Sequence, residues 1–113
     1  MDKLIYKICS EIEWEKACAC GLYSGSADDK RDGFIHFSTR DQVKRTLAKH
    51  FTGQAGLILL AVDVSLLNNG DIKYEGAEGG QEFPHLYGGF SPSAVQTTYK
   101  IRLNENKEHD VEF

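Results

Sequence analysis

Leu57-Ile58-Leu59-Leu60-Ala61-Val62 is the stretch that decides the fold. Six consecutive apolar residues rich in Leu, Ile and Val, set off by Gly53 to Gly56, read as a central strand covered on both faces. Upstream, Val43, Leu47 and Phe51 recur at i, i+4, i+8 and predict a helix with one buried stripe, capped by Ser38 or Thr39 with Asp41 in its first turn. Gly33 to Phe37 reads as a second strand, preceded by an exposed connection over Leu22 to Asp32. Leu4 to Cys9 is a first strand, and Ser10-Glu11-Ile12-Glu13 resembles a capping box. That box opens a helix through Trp14, Ala17 and Cys18, ending at Gly21. Downstream, Ile72 to Glu75 forms a short strand, Gly76 to Gly80 a mobile interval, and Phe83 to Tyr87 leads into a turn. Val95 to Leu103 places Val95, Thr97, Tyr99, Ile101 and Leu103 on one face. Asn104 to Phe113 is polar enough to fray. The order β-α-β-α-β-β-β-β, with two main helices, predicts an α+β fold in a single domain over 1–113.

Composition narrows the function classes. With 113 residues, 41% hydrophobic and 27% charged, the chain can bury a core without staples. Its formal net charge of -4 disfavours general nucleic-acid binding, which needs a dominant positive surface. No apolar run approaches the roughly 18 residues of a membrane span. Cys9, Cys18 and Cys20 lack a disulfide-framework spacing, so reduced thiols and a cytoplasmic location are expected.

Two segments carry the chemistry. Asp32-Gly33-Phe34-Ile35-His36-Phe37-Ser38-Thr39 and Phe83-Pro84-His85-Leu86-Tyr87-Gly88-Gly89 each set a histidine among apolar residues, beside a hydroxyl and a glycine turn. A buried imidazole needs hydrogen-bond partners, so such residues suit a recessed polar site. Strand alternation puts His36 with Phe34 and Ser38, opposite Ile35 and Phe37, at the mouth of a cleft between sheet and second helix. His85 and Tyr87 share a face when extended, and Gly88 lets a ligand approach bare backbone. Glu75, at a strand end, is placed to stabilise positive charge. Arg40 at the start of the second helix is favourable for a phosphate-bearing ligand. The bland alternatives are a structural histidine at position 36, a loop anchor at 85 and 87, and a solvated Glu75. Cys18 and Cys20, two apart on a helix, cannot chelate one metal together, and no zinc spacing is present. No metal site is expected. Phosphate-loop, dinucleotide and Ser-His-Asp signatures are likewise missing.

The chain resembles the family called domain of unknown function 952. The likeness rests on Ile5-Tyr6-Lys7-Ile8, Trp14, Gly21-Leu22-Tyr23, Gly33 to Ser38, the Leu57 to Asp63 strand, Tyr74-Glu75 and Phe83 to Gly88. The resemblance implies an ADP-ribosyltransferase-like fold, a split mixed or antiparallel β-structure whose active relatives hold NAD in a cleft. It implies that His36 holds a ribose or the nicotinamide amide, with Ser38 beside it. Glu75 and His85 are the candidates for the remaining catalytic position. Three chemistries stay open: NAD cleavage or ADP-ribosyl transfer; noncatalytic binding of a small nucleotide-like ligand; and hydrolysis with His36 and His85 as acid and base.

Overall fold

In the computed structural model, residues 3–76 and 80–113 are described; most of the expected mobile interval, with Glu78, lies outside them. The apolar run is strand β3 (Leu57–Asp63), lying between β1 (Leu4–Ser10) and β6 (Val95–Leu103). A short β7 (His109–Asp110) extends the far end of β6. A second sheet has the order β2 (Ile35–His36), β5 (Glu82–Leu86), β4 (Ile72–Gly76). Every pairing among these strands is antiparallel, so of the mixed or antiparallel arrangement expected, the structure has the antiparallel one, in two sheets.

Alternation along the central strands builds two cores. On one face Ile5, Cys9, Leu60 and Val62 meet Ile35, Phe37 and Leu86 of the smaller sheet. On the other, Tyr6, Ile8, Leu57, Leu59 and Ala61 meet Val43 and Leu47 of helix α3 (Val43–His50). The chain is therefore layered, with the large sheet in the middle. This burial on both sides is why β3 carries no polar alternation.

Helix α1 (Glu11–Cys20) begins at the expected capping box, in which Ser10 and Glu13 satisfy each other's amides, and ends at Gly21 with φ +82°. The connection expected over Leu22 to Asp32 is instead partly helical. Helix α2 (Ala27–Asp32) has its own capping box, Ser26 with Asp29, and closes on Gly33 at φ +87°. Gly33 thus ends a helix and lies outside β2, a two-residue strand. Residues Arg40–Gln42 form a 3-10 turn ahead of α3, opened by the Thr39 N–H donating to the Gln42 side chain at 2.9 Å. Among the described residues there are thus three α-helices, one more than expected.

Two further expectations change. A bulge places Ala61 opposite Thr97 but Val62 opposite Val95, so the strand loses its alternation at Gln96. Val95 joins the core between the sheets, while Tyr99 and Ile101 face α3. The tail beyond Asn104, expected to fray, has pairing and packing partners in the structure. The β7 ladder returns it along β6, and Val111 and Phe113 pack on the α3 core, Phe113 against the rings of Tyr6 and Tyr99. Polar composition hid two apolar side chains at the useful spacing. Among the described residues no helix is long and apolar enough to cross a membrane.

Candidate functional site

The outer face of the smaller sheet gathers the candidate residues. Pro84 and Leu86 of β5 turn to the core, which leaves His85 on the opposite face. In the ladders His36 pairs with His85, and Lys73 with His85 on the other side. The His36 and His85 ring centroids are 5.6 Å apart. Phe34 lies between them in effect: its ring stacks on His85 at 4.0 Å and meets His36 at 4.6 Å and Tyr87 at 5.2 Å.

Each imidazole has a carboxylate at Nδ1. His85 Nδ1 is 2.7 Å from Glu75 Oε1, and the Tyr87 hydroxyl donates to that same oxygen at 2.6 Å. The Tyr87 and His85 contacts hold the Glu75 carboxyl below its usual range. Glu75 in turn pushes the Tyr87 phenol up. The Lys73 ammonium lies 5.0 Å from the Tyr87 ring centroid. Glu75 and Tyr87 are each partly open to solvent, whereas the His85 side chain is only 12% exposed.

His36 Nδ1 sits 2.6 Å from Asp29 Oδ1, and its Nε2 is 3.1 Å from Asp32 Oδ2. Asp29 comes from α2 and is buried; its Oδ2 receives the Lys7 ammonium at 2.8 Å and the Ser26 amide at 2.9 Å. Lys7 also donates to the main-chain oxygen of His36 at 3.1 Å. Burial alone pushes the Asp29 carboxyl up. The His36 ring, the Lys7 ammonium and the Ser26 amide outweigh it and hold Asp29 well below the carboxylate range.

The face therefore brings together His36, His85, Glu75 and Tyr87, with Gly88 following at φ +146°. Ser38 and Arg40 are placed elsewhere. The Ser38 hydroxyl is buried against Thr46 Oγ1 at 3.1 Å. Arg40 donates to the main-chain oxygen of Phe113 and lies over its ring. A cleft of about 510 Å³ opens there, between Arg40, Asp41, Lys44 and the tail residues Val111 to Phe113. His36 does not line it, so this cleft between the start of α3 and the tail is separate from the histidine face. Among the described residues no group of three His, Cys, Asp or Glu side chains is arranged to hold a metal ion.

Sequence reasoning missed Asp29, Asp32 and Lys7 as partners, and treated Phe34 only as a neighbour of His36. The Ser26-x-x-Asp29 box was a readable helix signal. Lys7, at an odd position among the inward residues Ile5 and Cys9, was a readable sign of a buried charge needing a partner.

A family model described as "Protein of unknown function (DUF952)" matches residues 8–98. The chain belongs to this family. The crystal structure of protein CC0527 from Caulobacter crescentus is 45% identical, with a TM-score of 0.88 over 95% of this chain and 93% of that one. The solution NMR structure of CC0527 is also 45% identical, with a TM-score of 0.82 over 95% of this chain and 91% of that one. No curated protein matches the chain. The likeness to CC0527 extends over the whole small α+β architecture of antiparallel sheets and few helices.

Proposed function

We propose that the histidine face binds a nucleotide-like ligand of the NAD type and cleaves its nicotinamide–ribose bond, by hydrolysis or ADP-ribosyl transfer. The observation that carries this reading is Glu75, half-exposed and held ionised by Tyr87 and His85 beside a second imidazole. When the C1′–N bond breaks, its electron pair leaves with neutral nicotinamide and positive charge spreads over C1′ and the ring oxygen. A preorganised carboxylate lowers the energy of that state. His36 holds a ribose hydroxyl, and Phe34 with Tyr87 offers aromatic surface. Water or an acceptor hydroxyl then adds to C1′, and His85 takes up its proton. The family resemblance supports the choice of ligand.

Purified protein incubated with NAD is expected to release nicotinamide, measured by chromatography. Glu75→Gln is expected to lower the rate about 100-fold or more. A wild type that neither releases nicotinamide nor gains melting temperature with NAD overturns the reading. Stabilisation by NAD without turnover would make the site a binding pocket.

The spacing of the two rings favours one second reading, acid–base cleavage of a phosphodiester by His36 and His85. A bell-shaped rate profile on such a substrate, lost in either His→Ala variant, would establish it in place of NAD cleavage.

A further inference from the structure

Asp29 spends both of its oxygens inside the protein. Oδ1 accepts from the His36 main-chain amide at 3.2 Å and faces His36 Nδ1 at 2.6 Å. Oδ2 accepts from Ser26 and pairs with Lys7. The Lys7 and Asp29 side chains are 5% and 2% exposed, so neither has water as an alternative partner. The His36 side chain is 40% exposed, and its Nε2 meets Asp32, which is itself 35% exposed and shared with Arg31. One ring nitrogen is thus bound to a fixed carboxylate and the other to a movable one.

We propose that Asp29 is a positioning residue that fixes the proton of the neutral His36 ring on Nδ1, leaving Nε2 as the atom offered to a ligand, with Lys7 locking Asp29 in place from the large sheet. A carboxylate accepts and cannot donate, so it selects the tautomer that carries hydrogen toward it. Asp32 yields Nε2 to an incoming hydroxyl by turning toward solvent. Asp29 has no such freedom, because moving it would strand the Lys7 ammonium and the Ser26 amide. For the site's chemistry the inference rests on the proposed function, since it names Nε2 as the acceptor for the ribose hydroxyl.

The tautomer is read from two-bond nitrogen–proton correlation spectra of the ¹⁵N-labelled full chain at mildly alkaline pH. His36 is expected to carry its proton on Nδ1 in the wild type and in Asp32→Asn. Asp29 and Lys7 are removed together in Lys7→Met/Asp29→Leu, so that no buried charge is left alone. There the proton is expected on Nε2, drawn by the remaining carboxylate of Asp32, while the His85 pattern stays unchanged. A wild-type His36 protonated on Nε2 overturns the proposal even if the double variant does not fold. So does a double variant that folds and keeps the Nδ1 proton. In nicotinamide release, the double variant is expected to raise KM for NAD more than it lowers kcat. If the wild type releases no nicotinamide, the proposed function fails while the spectra still decide the role of Asp29.

Discussion

Tyr23 and Cys9 lie side by side in the core between the sheets, each about 2% exposed. Among the described residues the Tyr23 hydroxyl has no oxygen or nitrogen partner and meets only the weakly polar Cys9 sulfur, and burial raises the Cys9 thiol to about 12, leaving a neutral, inert group. Because an unpaired buried hydroxyl costs free energy, Tyr23→Phe is expected to leave stability unchanged or raise it by about 1 kcal/mol, read from urea unfolding. Asp29 behaves in the opposite way. Its folded-state acidity is stronger than the usual 3.8, so its contribution is complete above that value and is lost as the pH falls through and below it. Thermal unfolding should therefore show a wild type that weakens steeply in acid below about pH 4. Lys7→Met/Asp29→Leu should weaken less over the same range, whatever its stability at neutral pH.

At the scale of elements, α2 depends on its cap. It is six residues long, exposes most of its length and buries Asp29 alone, so little packing supports it. Ser26→Ala removes the acceptor for the Asp29 amide, at 3.2 Å, and is expected to cost about 1 kcal/mol in chemical denaturation. It should also broaden the His36 resonances, since Asp29 would lose its anchor. This helix also marks where sequence reading stopped. β1, β3 and α1 were legible because a run of apolar residues or a capping box lies within one local window. In α2 the residues Asp28-Asp29-Lys30-Arg31-Asp32 show no apolar period, and the helix exists to deliver one carboxylate inward. The bulge at Gln96 was equally hidden, since alternation in a sequence does not record an extra residue in a ladder. His85, Glu75 and Tyr87 were each identifiable as polar residues beside glycine or proline, and His36 as a polar residue within an apolar strand. Their meeting on one face required strand order, which no single segment encodes.

At the scale of the whole molecule, the tail closes the second core. Phe113 covers Tyr6 and Tyr99 and receives Arg40 on its ring. Phe113→Ala removes partly buried aromatic area and is expected to lower stability by roughly 1–2 kcal/mol, checked by thermal and urea unfolding. The histidine face lies across the other core, so NAD-dependent nicotinamide release by that variant should match the wild type at temperatures where both are folded.

His36 and His85 stand opposite each other in a single antiparallel rung, and that rung governs how this chain tolerates change. Side chains in a strand switch sides with every step. One added residue between His85 and Leu86 would put both on the same side of the strand, so that either the imidazole is sent inward or the leucine is brought out to solvent. Length variation compatible with this chemistry is therefore confined to the connections, and an indel inside β5 should mark a descendant that has given up the paired rings.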